Sequence, residues 1–266
     1  MADIFTERRP YNAVSDFVDA HIAAGRGSKV AFIDPERSLT YGDLQARSIR
    51  FANALRALGI EEEQRIALLL NDTVDYPVAF WGAIRAGCVA IPLNVYLTLP
   101  QYAYILADCR ARALVIEASL LEMIAPVLEK LPRKPAVIVV SSPGHSGSGA
   151  NAPSRNDRRW HAFEDLLGAA DATAVTADTL SDEVAFWFYT SGSTGEPKGV
   201  KHVHSNLMAT AKLFGQGILG ITENDVVHSA SKLFFAYGLG NALTFPLSVG
   251  ATAALWPHRP SPEGGF

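Results

Sequence analysis

Cysteine and excess positive charge are both scarce in this sequence. Its 266 residues include two cysteines, and 23 lysines and arginines are outnumbered by 27 aspartates and glutamates, giving a formal net charge of −4. Two cysteines exclude a disulfide-dense secreted scaffold, so we interpret Cys88 and Cys109 as buried free thiols in a reducing compartment. The charge balance argues against a nucleic-acid-binding protein, which would carry a basic surface.

Long apolar runs are also missing. No stretch approaches the roughly 18 to 20 residues that a membrane-spanning helix needs. The amino terminus, MADIFTERRP, carries charges where a secretory signal peptide has an apolar core. With 48% hydrophobic and 19% charged residues, the composition is that of a globular protein. These features predict a cytoplasmic enzyme with no membrane partner.

Short apolar runs alternate with segments of helical periodicity. The runs predict buried strands at 66–70, 88–93, 113–116, 136–140, 184–189, 226–229 and 251–255. The periodic segments predict a helix from about Leu44 that ends at Gly59, and helices at 74–86, 100–107, 120–131, 205–214 and 235–247. This alternation predicts an α/β fold with mostly parallel sheets flanked by helices. Residues 141–159, rich in Ser, Gly, Pro and Asn, are predicted to form a flexible surface segment.

One polar loop directly follows the predicted strand at 184–189. Residues 189–200 read YTSGSTGEPKGV. Hydroxyl groups donate hydrogen bonds to phosphate oxygens, glycines let backbone N–H groups approach an anion, and Lys198 supplies a mobile positive charge. The alternative is an exposed Ser/Gly turn, but the ordered STGEPKG after a buried strand favours a phosphate-binding loop. Its candidate ligand residues are Thr190, Ser191, Gly192, Ser193, Thr194, Gly195 and Lys198.

Two other phosphate motifs do not fit. A Walker loop requires a second glycine followed by Lys and Ser/Thr, whereas Pro197 stands at the glycine position and Gly199 follows Lys198. Residues 215–220 (GQGILG) match the dinucleotide pattern GxGxxG, but they follow a predicted helix instead of a strand. We interpret them as a glycine-rich helix terminus.

The loop at 189–200 resembles the signature loop of the adenylate-forming superfamily, which includes acyl-CoA synthetases, peptide-synthetase adenylation domains and luciferases. Three further segments resemble family motifs in the same order: LTYGDL at 39–44, AIRAGCVAIPLN at 83–94 and VKHVHSN at 200–206. The resemblance covers almost the whole chain. It implies that residues 1–266 form part of the family's N-terminal AMP-binding domain.

Residues 232–241 (KLFFAYGLGN) are similar to the acyl-pocket motif of benzoate–CoA ligases. An aromatic acid needs a flat slot with apolar walls, and Phe235, Ala236, Tyr237 and Gly238 are the candidates for that slot. The alternative is that these aromatic residues are ordinary core. His202 and His204 lack a cluster of companion ligands, so we expect no metal site there and a helix-start or pocket-supporting role for His204.

The resemblance implies a two-step reaction with ATP, Mg²⁺ and coenzyme A. A carboxylate attacks the α-phosphate of ATP to give an acyl-adenylate, and the coenzyme A thiol then displaces AMP. Ser191, Ser193, Thr194 and Lys198 would contact the β- and γ-phosphates, with Thr194 and Lys198 as the catalytic candidates. Thr190, Gly192 and Gly195 would shape the loop.

Family members run roughly twice as long as this chain. The part beyond Phe266 would carry the adenine-binding segment, a magnesium-binding glutamate, the ribose-binding aspartate and the small C-terminal domain with its lysine. We therefore expect a truncated product, or one part of a split gene whose other half is a separate chain, with little activity alone. Two alternatives stay open: a ligase for another carboxylic acid, aliphatic or carrier-protein-linked, and a non-catalytic nucleotide-binding module.

Overall fold

A computed structural model describes residues 8–141, 160–190 and 196–259. The strands in this part of the chain are β1 (Val30–Ile33), β2 (Ser38–Thr40), β3 (Arg65–Leu69), β4 (Val89–Pro92), β5 (Ala113–Glu117), β6 (Ala136–Val140), β7 (Trp160–Ala162), β8 (Val184–Thr190), β9 (Lys198–Val203), β10 (Val226–His228) and β11 (Thr252–Ala254). The helices are α1 (Ala20–Ala23), α2 (Tyr41–Ala57), α3 (Asp75–Arg85), α4 (Leu99–Asp108), α5 (Leu121–Lys130), α6 (Phe163–Ala169), α7 (His204–Thr210), α8 (Ala236–Leu239) and α9 (Phe245–Val249). None of these helices is long and apolar enough to cross a membrane.

The large sheet has the strand order β7-β6-β5-β3-β4-β8-β9. All neighbouring pairs are parallel except β8 and β9, which are antiparallel. Its strands are continuous apolar runs because both faces are covered. In β3, Ile66 and Leu68 belong to one core, whereas Ala67 and Leu69 point to the other. The predicted α/β fold with mostly parallel strands is confirmed.

A smaller sheet has the order β10-β11-β1-β2. β11 lies parallel to both β1 and β10, so it joins the beginning of the chain to its later part. The predicted strands at 226–229 and 251–255 are confirmed. β1 and β2, of four and three residues, were not predicted.

Local sequence explains where the long helices begin and end. Thr40 caps α2 in a reciprocal pair with Asp43, and Gly59 follows the helix with a φ of 72°. Pro77 lies in the first turn of α3, where its missing N–H costs no hydrogen bond. α2 and α3 pack closely because Gly82 faces the Phe51 ring.

The two later helical predictions were confirmed, but each segment combines a π-helical turn with one or two short α-helices. The segment predicted at 205–214 is α7 followed by a π-helical turn, Ala211–Gln216. Gly215 lies within this turn, and Gly217 and Gly220 follow it, so the glycines end a helix, as expected, and do not follow a strand. The segment predicted at 235–247 consists of α8, a π-helical turn (Gly240–Thr244) and α9. β7 and α6 were not predicted, and of the predicted surface segment, residues 142–159 lie outside the described part of the chain.

Both cysteines are free and buried, as predicted. Burial raises the pKa of the Cys88 thiol and of the Cys109 thiol to about 12. Both thiols are therefore neutral at physiological pH and poor nucleophiles.

Candidate active site at the carboxyl edge of the large sheet

The predicted phosphate loop connects two strands of one hairpin. β8 runs parallel to β4 towards the carboxyl edge of the sheet, and β9 returns antiparallel, with Thr190 paired to Lys198. Thr190 and Lys198, where the two strands end and begin, therefore lie at the edge where open α/β sheets bind ligands. Thr190 and Lys198 are both exposed there. Ser191, Gly192, Ser193, Thr194 and Gly195 lie outside the described residues, so their phosphate contacts stay predictions.

Aromatic contacts and one hydrogen bond fix the hairpin close to its tip. The Tyr189 hydroxyl donates to a carboxylate oxygen of Asp108 over 2.5 Å, at the end of α4. The His202 ring stacks on Phe186 with centroids 4.6 Å apart and planes 6° apart. These contacts hold the register of β8 against β9, and with it the positions of Thr190 and Lys198.

β9 itself was not predicted as a strand. Most of its residues are exposed, and within the described part of the chain it pairs with β8 alone. An exposed edge strand lacks the apolar pattern that marks a buried strand. Its conformation follows from pairing with β8, which no local pattern reveals.

The second predicted motif, residues 232–241 (the aromatic motif), lies at the same edge of the sheet. The Leu233 N–H donates to both carboxylate oxygens of Asp72, at 3.2 and 3.3 Å, and Asp72 follows β3. Leu233 and Phe234 are buried in the two opposite cores, so this segment crosses the carboxyl edge. The structure thus brings the loop-bearing hairpin and the aromatic motif to one edge.

The four predicted slot residues differ in exposure. The side chains of Phe235 and Tyr237 are 44% and 67% exposed, and Ala236 is also exposed. Gly238 is buried against the backbone of Lys232. The alternative that these aromatic residues are ordinary core therefore does not apply to Phe235 or Tyr237, whereas the adjacent Phe234, which was not a slot candidate, is core.

Asp72, Tyr96 and Arg259 also lie at this edge, and none of them was predicted from the sequence. Tyr96 follows β4, and its ring packs edge-on against Phe234 with the ring centroids 5.9 Å apart. The centroids of the Phe234 and Phe235 rings are 4.8 Å apart. The Arg259 guanidinium lies 4.5 Å from the centre of the Tyr96 ring. Tyr96 and Asp72 each stand a few residues after a buried parallel strand, and that position is the signal that would have identified them.

Lys232, the first residue of the aromatic motif, forms a buried pair of opposite charge with Asp72. Their nearest charged atoms, Lys232 Nζ and Asp72 Oδ2, are 3.9 Å apart, and the side chains are 5% and 3% exposed. Burial raises the pKa of Asp72 to about 7, against the opposing effects of Lys232 and the Leu233 N–H. Burial also lowers the pKa of Lys232, while Asp72 opposes that shift. Asp72 is therefore only partly ionised at neutral pH, and its carboxylate form and the Lys232 ammonium stabilise each other.

His204 begins α7 behind the hairpin, as the helix-start hypothesis expected. Its Nδ1 accepts a hydrogen bond from the Ala13 N–H at 3.2 Å, and the side chain is buried. This contact supports the base of the hairpin and does not reach its tip. Among residues 8–141, 160–190 and 196–259, no three His, Cys, Asp or Glu side chains converge to hold a metal ion.

The buried His204 gives a testable pH dependence. Burial lowers the pKa of His204 from 6.5 to about 4 in the folded chain. Between these values the unfolded chain binds a proton that the folded chain does not, so stability is lost as pH falls through this window. His204→Asn keeps an acceptor for Ala13 but does not titrate. Urea unfolding at pH 7 and pH 5 is expected to show a stability loss on acidification that is smaller in the variant by about 2 kcal/mol. Equal losses in both proteins would contradict this assignment.

Comparison with known proteins shows the family of this chain. Residues 20–265 match the family model described as AMP-binding enzyme. The chain belongs to the AMP-binding enzyme family. Within this family it is 46% identical over 258 residues to a 4-hydroxybenzoate–CoA/benzoate–CoA ligase of Rhodopseudomonas palustris, covering 97% of this chain and 45% of that protein.

Two solved structures of AMP-binding enzymes resemble the chain closely. A benzoate CoA ligase from Burkholderia xenovorans matches with a TM-score of 0.83 and 42% identity, over 96% of this chain and 47% of that one. An anthranilate CoA ligase in complex with anthranoyl-AMP matches with a TM-score of 0.85 and 31% identity, over 94% and 45%. The chain thus spans about half the length of the relatives that it matches.

Proposed function

We propose that this chain supplies the phosphate-binding loop and the acid slot of an AMP-forming acid–thiol ligase for benzoate-like aromatic carboxylates. The observation that carries the proposal is the shared carboxyl edge, where the Thr190–Lys198 hairpin tip and the exposed rings of Phe235 and Tyr237 both lie. The names of its relatives, benzoate–CoA and anthranilate CoA ligases, support an aromatic acid.

In the proposed first step, a carboxylate oxygen of the acid attacks the α-phosphorus of ATP. The bond from that phosphorus to the bridging oxygen breaks, and pyrophosphate leaves. Lys198, with the hydroxyl groups of Ser191, Ser193 and Thr194, would hold the departing phosphates and balance their charge. In the second step the thiol of coenzyme A attacks the acyl carbon and AMP leaves.

The ring of the acid would lie against Phe235 and Tyr237, with Ala236 leaving room beside them. Flat apolar contact of this kind favours an aromatic acid over a short aliphatic acid of equal charge. Magnesium is expected of the family, but the described residues include no cluster of acids to hold it, so we assign no step to it. The chain alone is expected to bind ligands but to turn over poorly, because it spans about half of its relatives.

The first test is nucleotide affinity. Lys198 stands at the hairpin tip, whereas Lys201, on the same strand, lies 5.4 Å from the centre of the Trp187 ring. Lys198→Met is expected to weaken ATP binding about 10- to 100-fold, as for a lost hydrogen bond to a charged group, whereas Lys201→Met leaves it within about two-fold. Calorimetric titration of ATP into the purified chain measures both.

The same calorimetric titration, with two acyl-adenylate mimics in place of ATP, separates the competing functions. Tighter binding of N-benzoylsulfamoyl adenosine than of its acetyl analogue supports the aromatic acid. The reverse preference indicates an aliphatic acyl-CoA synthetase. ATP binding with no affinity for either adenylate mimic indicates a non-catalytic nucleotide-binding module.

A further inference from the structure

The aromatic motif is attached to the rest of the chain by a small set of buried polar contacts. Asp72 accepts the Leu233 N–H, and the Lys232 ammonium donates to the Trp256 carbonyl. Asp72 follows β3 of the large sheet, and Trp256 follows β11 of the small sheet. One buried pair therefore links the segment that carries Phe235 and Tyr237 to both sheets.

The position of Lys232 is transmitted directly to α8. Its carbonyl accepts the Phe235 N–H at 2.9 Å. A Cβ built on Gly238 would lie 2.0 Å from that same carbonyl oxygen, so the helix rests on the backbone of Lys232 with no spare space. A shift of Lys232 must therefore move Phe235 and Gly238 with it.

Burying Asp72 and Lys232 costs the free energy of removing their charged groups from water. Two charges removed from water gain little net stability over an apolar pair of similar size, whereas loss of either one leaves the other uncompensated. The Tyr76 hydroxyl, close to Asp72 and fully buried, also lacks a hydrogen-bond partner among the described residues. Such an arrangement fixes one geometry of the segment and adds little to stability.

We propose that Asp72 and Lys232 are positioning residues for the aromatic-acid slot, holding residues 233–238 at the carboxyl edge so that Phe235 and Tyr237 face the acid. This inference rests on the function proposed above. Neither residue is a catalytic residue, because both act through the backbone of the segment.

The test replaces Asp72 and follows the segment by hydrogen exchange. In Asp72→Ala, peptides covering residues 232–241 are expected to exchange about ten-fold faster or more, with β3 and β5 unchanged. Asp72→Asn, which keeps an acceptor for the Leu233 N–H, is expected to restore part of the protection. Asp34→Ala is the matched control, because Asp34 is also buried and accepts the Val74 N–H at 3.0 Å without touching the segment.

The same variants are titrated with N-benzoylsulfamoyl adenosine and its acetyl analogue. The positioning role predicts that Asp72→Ala loses about ten-fold or more of the preference for the benzoyl compound, whereas Asp34→Ala keeps it. If Asp72→Ala does not fold, Lys232→Met is used in the same two measurements. Unchanged exchange at 232–241, or faster exchange with the preference intact, would overturn the inference. If the unaltered chain binds neither analogue, the proposed function fails, and hydrogen exchange alone still decides whether the pair holds the segment.

Discussion

Gly238→Ala is expected to destabilise the chain by about 3 kcal/mol, the upper end of the usual cost of overpacking a core. The new Cβ would lie 2.0 Å from the Lys232 carbonyl oxygen and 2.4 Å from that of Ser231. Both are backbone atoms and cannot rotate away, so the start of α8 must shift. The cause is steric, because Gly238 does not have a positive φ.

Gly168→Ala is the control for this prediction. Gly168 lies within α6, and a Cβ there would meet no atom within 4 Å. Alanine loses less backbone entropy on folding than glycine, so this variant is expected to gain about 0.5–1 kcal/mol. Urea unfolding of both variants measures the difference. A Gly238→Ala protein as stable as the parent would show that α8 does not rest on the Lys232 backbone.

Arg85→Met is expected to cost about 2–4 kcal/mol, less than for a fully buried ion pair, because the Asp19 carboxylate left behind is 30% exposed. The Arg85 side chain is 1% exposed and binds Asp19 through two hydrogen bonds, of 2.6 and 3.1 Å. It also donates to the Thr176 hydroxyl at 2.8 Å. Arg85 therefore joins the amino-terminal segment to the residues that lead into β8.

Arg8→Met is the control, because it removes an ion pair that is exposed instead of buried. Arg8 and Asp182 are 3.4 Å apart, with both side chains more than half exposed. Solvent screens such a pair, so the change is expected to stay within about 0.5 kcal/mol. Thermal unfolding of both variants tests the contrast, with a decrease in Tm of about 10 °C expected for Arg85→Met. The double variant Asp19→Asn with Arg85→Met is expected to lose less than the sum of its parts. Equal Tm values for the two single variants would contradict the assignment.

The five central strands of the large sheet were predictable because each is a short apolar run, whereas β7 and β9 at its two edges were not. Segments such as 136–140 are apolar at every position, and a strand covered on both faces needs that pattern. A phosphate-binding loop was predicted for a related reason, since glycines, hydroxyl groups and a lysine that all suit an anion directly follow such a strand. The aromatic motif at 232–241 was identified by resemblance, which also supplied the four slot candidates, whose role stays a prediction.

The sequence by itself thus determined the α/β class and the main strands, because these depend on local pattern, and its assignment of 189–200 to phosphate binding stays a prediction. The tertiary structure decided what depends on distant partners. β9 is a strand because β8 pairs with it, and Phe234 is core whereas Phe235 is exposed, although the two are adjacent aromatic residues. It also paired Asp72 with Lys232 across 160 positions of the chain. A buried charge is stable only beside its partner, and no property of either local segment indicates where that partner will lie.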